Sequence, residues 1–142
     1  MFSNRKDQVA ANKLESSHEL SLAEEFVQVY FDKLDKQQYP TVSRLYLPDA
    51  LLVWNGIATS GADKIQQFLS QLPPSSHTIM SIDSQRMQEN ASGNKSFLIQ
   101  IGGVVRYKDY SSKQFFQTFF TTMTEGKYKI TVDHYRCLGG TP

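Results

Sequence analysis

Strand-like segments dominate the second half of the chain, and the longest of them are apolar at both alternating positions. In the segment QFFQTFFTTM, Phe115 and Phe119 fall on one face, whereas Phe116 and Phe120 fall on the other. Successive side chains of a strand point to opposite faces, so a sheet built from such segments is apolar on both sides. An antiparallel sheet with one solvated face shows a cleaner alternation of apolar and polar residues. The second face therefore needs a cover.

The same two-sided pattern recurs in the segments ALLVW (50–54) and SFLIQIGGVV (96–105). Burying each large apolar side chain is worth about 1.5–3 kcal/mol, so leaving several of them in water is a liability. A second protein, a pocket enclosed by a curled sheet, or bulges within one chain could each remove them from water. We favour burial by a partner.

The order of elements predicts an α+β fold. Helical spacing begins at a capping box at 21–24 and runs to about residue 36, a short helix starts at Tyr39-Pro40, and a third helix begins at a cap at 60–63 and ends before Pro73-Pro74. Asn55-Gly56 predicts a tight turn between short strands at 50–54 and 57–59. Four longer strands are predicted to follow, at 77–88, 96–108, 114–124 and 127–138.

The length predicts one domain with short extensions. A chain of 142 residues is the size of a single domain with a real core. Residues 1–20 are polar and weakly patterned, which predicts a flexible tail. The domain is expected to span residues 21–138, followed by a short C-terminal tail at 139–142.

Composition disfavours several classes of function. Fifteen Lys and Arg against fourteen Asp and Glu give a formal charge of +1, whereas nucleic-acid-binding surfaces normally show a basic excess. No segment approaches the roughly 20 apolar residues that cross a membrane, and the N-terminus has no secretory h-region. The single cysteine, Cys137, fits a reducing compartment, so we expect a cytosolic or nuclear protein.

Catalytic and metal chemistry finds little support. His18, His77 and His134 show no metal-ligand spacing, and no nucleophile or phosphate-binding motif is present. The consecutive residues Asp133 and His134 resemble an acid–base pair, but alternation sends them to opposite faces of a strand. Gly102-Gly103 in mid-strand indicates a bulge or bend. We therefore expect no catalytic residue, no metal and no cofactor.

Arg136 carries a different signal. Strict alternation places it on one face with Ile130, Val132 and His134, with no acid at matching positions of the same strand. A guanidinium among apolar side chains needs carboxylate or carbonyl acceptors to offset its desolvation. Either a partner supplies the carboxylate, or Arg136 is a solvated residue at the rim of the sheet.

Several segments resemble the nuclear transport factor 2-related export proteins, the small subunits that pair with the large mRNA-export receptor. They are AEEFVQVYFDKLD, SRLY, LLVWNGIATSG, FLSQLPPS and DHYR, in matching order from about residue 21 to 138. The resemblance implies a cone-like fold in which three helices pack on a strongly bent antiparallel sheet. It also implies a non-enzymatic subunit that forms a heterodimer through its sheet and shuttles between nucleus and cytoplasm. In this family the heterodimer engages phenylalanine-glycine nucleoporins at the nuclear pore.

The resemblance also suggests site residues. The family's terminal-strand arginine, which pairs with an acid on the receptor, corresponds to Arg136. We assign the partner-binding surface to the terminal strand and the sheet aromatics, namely Trp54, Phe115, Gln117, Phe119, His134, Tyr135 and Arg136.

Two alternatives exist within the same fold. A homodimeric import carrier of Ran-GDP uses acids, one of them directly after the tryptophan, but Asn55 follows Trp54 in this chain. Lys108 and Tyr110 also stand where the later acids would align, although Asp109 remains. Ran binding is therefore disfavoured, and a small-molecule enzyme of the same fold is the less favoured second alternative.

Overall fold

The computed structural model of the protein describes residues 5–89 and 91–139, apart from the side chain of residue 12. The elements follow one another as α1 (Arg5–Asp35), α2 (Tyr39–Ser43), β1 (Tyr46–Trp54), β2 (Ile57–Ser60), α3 (Ala62–Ser70), β3 (Ser75–Met87), β4 (Ser96–Tyr107), β5 (Lys113–Thr124) and β6 (Lys127–Cys137). No helix in these ranges is both long and apolar enough to cross a lipid bilayer.

The six strands form one sheet in the order β2-β1-β6-β5-β4-β3. Neighbouring strands are antiparallel except β1 and β6, which run parallel with Val53 opposite His134. The expectation of an antiparallel sheet therefore missed one parallel pair. The terminal strand β6 lies inside the sheet between β1 and β5, so its side chains have neighbours on both sides.

The helices lie on one face of the sheet, which we call the inner face; the opposite face is the outer face. Helix α1 contributes Phe26, Val27 and Tyr30 to the core, and α3 contributes Ile65 and Leu69. The buried apolar residues of these two helices recur at intervals of three or four, so they form one apolar side on each helix, and that side faces the sheet. The core therefore occupies the space between the helices and the inner face.

Helix α1 begins earlier than the sequence predicted. It runs without a break from Arg5, so residues 5–20 are helical rather than a flexible tail, and the capping box at 21–24 lies inside the helix. No Gly or Pro interrupts this segment, and Lys, Ala, Leu, Glu and Gln all favour helix. Arg86 of β3 also holds this part of α1, because its Nη2 donates to Glu15 Oε1 at 2.9 Å and to Glu19 Oε1 at 2.5 Å.

Residues with left-handed backbone conformations lie on both sides of β2. Asn55 (φ 48°) and Gly56 (φ 86°) both adopt left-handed backbone conformations, as the predicted tight turn requires. The predicted cap before α3 differs in detail, because Gly61 is the N-cap and no side chain bonds to the helix end.

Residues 140–142 of the predicted C-terminal tail lie outside the described residues.

Candidate partner-binding surface

The residues that we assigned to partner binding divide between the two faces of the sheet. Trp54, Phe115, Gln117, Phe119 and Tyr135 are each at most 2% exposed on the inner face beneath the helices. Of the seven assigned residues, only His134 and Arg136 are exposed, and both lie on the outer face. The assignment of the five inner residues to a contact surface is not compatible with this burial, because a second protein could reach them only by displacing the helices.

The inner-face aromatics form a packed stack instead. Trp54 and Tyr135 stack with ring centroids 3.6 Å apart and planes 5° from parallel. Phe115 packs against Tyr135, and the centroids of these two rings are 5.6 Å apart. Tyr135 Oη forms a hydrogen bond of 3.1 Å with Tyr107 Oη. Burial raises the pKa of Tyr135 far above its ordinary value, so this phenol remains neutral.

The two faces were predicted correctly for β5, but their identity as core or surface was not. Phe115 and Phe119 point inward, while Phe116 and Phe120 of the same strand point outward and are 50% and 37% exposed. Alternation alone separates the two sets, but it does not say which set the helices cover. Phe116 and Phe120, which the predicted partner-binding residues did not include, are the pair on the outer face.

A bulge changes the faces of the terminal strand. The register between β5 and β6 shifts between Phe120 and Thr121, so Ile130 is buried on the inner face while Val132 lies on the outer face. Grouping Ile130 with Arg136 was therefore wrong. A bulge adds one residue to a strand and reverses the alternation beyond it.

The outer face can be read as cross-strand rows. One row runs Ser81, Gly102, Phe116, Arg136 across β3, β4, β5 and β6, and the next runs Asp83, Gln100, Thr118, His134 and Val53. A third row is mostly apolar and consists of Gln85, Leu98, Phe120, Val132 and Leu51. In these rows a polar middle row separates Phe116 on one side from the apolar third row on the other, and Asp83 and Arg136 lie on β3 and β6 respectively.

Arg136 lies at the β6 end of the row that contains Phe116. Its cross-strand neighbour on β5 is Phe116, and both side chains are exposed. No salt bridge involves Arg136 within residues 5–89 and 91–139. A solvated guanidinium beside an apolar patch is suited to a carboxylate from another molecule, because the pair would be screened from water on contact.

A buried polar cluster lies on the opposite side of β6, and few features of the sequence indicated it. Asp133 accepts hydrogen bonds at Oδ2 from Tyr46 Oη at 2.6 Å and from Tyr30 Oη at 3.3 Å. It also accepts one at Oδ1 from Gln117 Nε2 at 2.8 Å. Gln117, a lone amide among phenylalanines on one face of β5, was the available signal.

Burial dominates the electrostatics of this cluster. It raises the pKa of Asp133 from 3.8 to about 7, although the three hydrogen bonds act in the opposite direction. Burial and the nearby carboxylate raise the pKa values of Tyr30 and Tyr46 well above the ordinary phenol value. Asp133 is fully buried, so a substrate could not reach this acid without opening the core.

Asp133 and His134 do point to opposite faces, as alternation predicted, and they form no dyad. His77 pairs elsewhere, with its Nδ1 2.7 Å from Asp35 Oδ1, and Asp35 Oδ2 accepts the backbone N–H of His77 at 2.7 Å. This pair fastens the end of α1 to β3. Among the described residues, no group of three His, Cys, Asp or Glu side chains is placed to hold a metal ion.

Asn55 has a structural role at the end of the terminal strand. Its backbone N–H donates to Tyr135 O at 2.9 Å, and its side-chain Oδ1 accepts the backbone N–H of Cys137 at 2.8 Å. The turn after Trp54 is therefore tied to the last residues of β6.

Comparison with known proteins agrees with this architecture. Residues 22–137 match the model of the nuclear transport factor 2 (NTF2) domain, so the fold and its open sheet define an NTF2-domain protein. A solved structure of nuclear transport factor 2 from Cryptosporidium parvum superposes with a TM-score of 0.72 at 23% identity, covering 82% of this chain and 92% of that one. A putative scytalone dehydratase from Novosphingobium aromaticivorans superposes with a TM-score of 0.66 at 16% identity, covering 84% and 83%. At these identities the likeness concerns the fold alone.

Sequence similarity to curated proteins is more specific. An NTF2-related export protein of Caenorhabditis elegans is 34% identical over 116 residues, covering 80% of this chain and 84% of the relative. NTF2-related export protein 1 of Bos taurus is 35% identical over 119 residues, and NTF2-related export protein 2 of Homo sapiens is 33% identical over 119 residues. These cover 80% of this chain and 84% and 83% of the relatives, respectively. The chain belongs to the family of NTF2-related export proteins.

Proposed function

We propose that this protein is a non-enzymatic accessory subunit of nuclear export, which binds a larger mRNA-export receptor through the outer face of its sheet. The observation that carries the proposal is the exposed pair Phe116 and Phe120 on a face that no helix of the described chain covers. Family membership supports the export role, since the curated relatives are named export proteins.

The physical task of the subunit follows from the composition of this face. Apolar side chains at the centre of a patch supply most of the favourable free energy of association, and charged groups at its edge set specificity and the rate of encounter. The third row supplies the apolar side chains Leu98, Phe120 and Val132, and Arg136 supplies a charge beside Phe116 two rows away. A related domain with its own open sheet is the natural counterpart, because two sheets can pack face to face.

A non-enzymatic role is supported by the closure of the polar cluster. The acid that could act as a general base, Asp133, is fully buried and bonded to three donors from Tyr30, Tyr46 and Gln117. A general base must come within hydrogen-bond reach of a substrate proton. The cluster therefore acts as a polar part of the core.

The heterodimer would place the protein at the nuclear pore. Engagement of phenylalanine-glycine nucleoporins and shuttling between nucleus and cytoplasm belong to the complex in this proposal. Carriage of Ran-GDP gains no support from the structure, because the Asn55 side chain is bound to the backbone of Cys137.

Co-expression with the NTF2-like domain of the large export receptor tests the proposal. We expect a soluble one-to-one complex whose mass, measured by light scattering, equals the sum of the two chains. Recovery of the two chains as separate species would overturn the proposed function. Binding of Ran-GDP to the protein alone would instead support the carrier alternative.

A further inference from the structure

The outer face has a notch at Gly102, in the row that ends at Arg136. The notch has a volume of about 230 Å³, and the residues that line it include Ser81, Asp83, Gln100, Gly102, Phe116 and Thr118. It exists because Gly102 has no side chain between Ser81 on β3 and Phe116 on β5, which are its cross-strand neighbours. The notch is thus a gap in an otherwise continuous row of side chains.

The backbone requires glycine at position 103 but not at the adjacent position, Gly102. A Cβ at Gly103 would lie 2.1 Å from the carbonyl oxygen of Thr78, so the backbone approach at the β3 bulge requires glycine at that position. A Cβ at Gly102 would meet only the side chain of Ser81, at 2.9 Å, and Phe116, at 3.9 Å. Ser81 Oγ can rotate away, so the fold does not require glycine at 102. The gap is therefore a feature of the surface rather than of the backbone.

The walls of the notch combine an aromatic surface with a negative charge. Phe116 is half exposed on one side, and Asp83 is exposed on the other. Within residues 5–89 and 91–139, Asp83 takes part in no salt bridge. Gly102 and Asp83 are diagonal neighbours on β4 and β3, and side chains in such positions are about 7–8 Å apart.

The cations of the same face cannot neutralise Asp83. His134 and Arg136 lie on β6, three strands away from β3, which corresponds to about 14 Å at the usual strand spacing. Arg106 of β4 is exposed on the same face opposite Ser76, six residues along β4 from Gln100, the cross-strand neighbour of Asp83, which corresponds to about 20 Å. The face thus carries an acid on β3 that is distant from the cations on β4 and β6. A partner complementary to it must present a cation to β3 as well as a carboxylate to β6.

We propose that the Gly102 notch receives one lysine or arginine side chain from the partner's sheet. Its aliphatic stem lies over Gly102 and against the Phe116 ring, and its charged head reaches the Asp83 carboxylate beside Gln100 and Thr118. Long cationic side chains bury their stems on apolar surface while the head seeks polar groups, and a cation near an aromatic face is favourable. This inference rests on the proposed function, because it names the chemistry of the partner at that same surface.

Two variants of the full chain test the notch against the receptor's NTF2-like domain. Asp83→Asn removes the charge with little change of shape, and we expect the Kd to rise by about tenfold or more, with a smaller dependence on salt concentration. Gly102→Ala fills the floor of the notch, and we expect a similar loss of affinity without a change in Tm. Asp63→Asn, which removes an exposed carboxylate from α3 on the helical side, is the matched control and should bind like the wild type.

The outcomes separate the two proposals. If the wild-type chain binds the receptor domain but Asp83→Asn and Gly102→Ala bind with unchanged Kd, the notch inference is overturned while the proposed function stands. If the wild-type chain does not bind, both are overturned. If Gly102→Ala lowers the Tm, Asp83→Asn alone decides, because an exposed amide at that position does not disturb the core.

Discussion

Phe116 and Arg136 face each other across strands β5 and β6, and both side chains extend from the face of the sheet that carries no helix. The residues that flank them in sequence, Phe115 and Tyr135, point the opposite way and stack in the core. One pair of strands therefore supplies both the packed interior and the proposed contact surface. Substitutions on the two faces should have different consequences.

The adjacent residues Phe119 and Phe120 offer the sharpest comparison. Phe119→Ala should lower the free energy of unfolding of the isolated chain by about 3–5 kcal/mol, because it leaves a cavity in the core. Phe120→Ala should change that free energy by less than about 1 kcal/mol yet weaken receptor binding by at least about 1 kcal/mol. Urea unfolding and calorimetric titration measure the two quantities, and equal destabilisation by both variants would contradict the assignment of faces.

Charge reversal at the edge of the outer face tests Arg136. We expect Arg136→Glu to weaken the complex with the receptor domain by about 2 kcal/mol or more, because a favourable pair becomes a repulsive one. Lys64→Glu, on the exposed side of α3, makes the same change of charge away from the sheet face and should leave the Kd unchanged. An unchanged Kd for Arg136→Glu would remove this residue from the interface.

The buried carboxyl group of Asp133 should make stability depend on pH. Its pKa is about 7 in the folded chain and near 3.8 when unfolded, so the folded state holds the proton more tightly between these values. The stability from this protonated group is fully present below about pH 4 and is lost as the pH rises through 7. Asp133→Asn cannot ionise, so its unfolding free energy should fall less than that of the wild type between pH 5 and 8. Urea unfolding at both pH values checks this, and parallel losses would show that Asp133 does not titrate in this range.

Tyr46 should be the most important donor to this carboxyl group. Tyr46→Phe removes the 2.6 Å hydrogen bond to Oδ2 and leaves a buried acceptor less well satisfied. We expect a loss of about 1–3 kcal/mol of stability at pH 7 and a smaller loss at pH 4, where Asp133 is protonated. Tyr39→Phe changes a partly exposed phenol and is the control. A loss that does not vary with pH would indicate that only packing has changed.

The sequence predicted most of this fold because its signals were local. Alternation identified the strands β3 to β6 within a few residues, and Asn55-Gly56 identified the turn between β1 and β2. The early start of α1 was missed because helix formers without an apolar stripe resemble a polar tail, and its contacts from Arg86 come from far along the chain. The parallel pairing of β1 with β6 has the same non-local origin.

The candidate surface was harder to predict than the fold. Alternation divides a strand into two sets of side chains, but the helices decide which set is covered, and that choice depends on tertiary packing. This explains why Phe115 and Phe119 were assigned to the surface while Phe116 and Phe120 were omitted. The bulge in β6 at Thr131, which places Ile130 on the inner face, leaves no clear mark in the sequence.

Hydroxyl-radical labelling of the outer-face phenylalanines tests the central claim most directly. Phe116 and Phe120, 50% and 37% exposed in the single chain, should both be labelled in the isolated protein and should lose most of that labelling in the one-to-one complex with the receptor domain. Leu14, 74% exposed on α1, should be labelled equally in both samples. Undiminished labelling of Phe116 and Phe120 in a complex of confirmed mass would show that the partner binds elsewhere and would contradict the account.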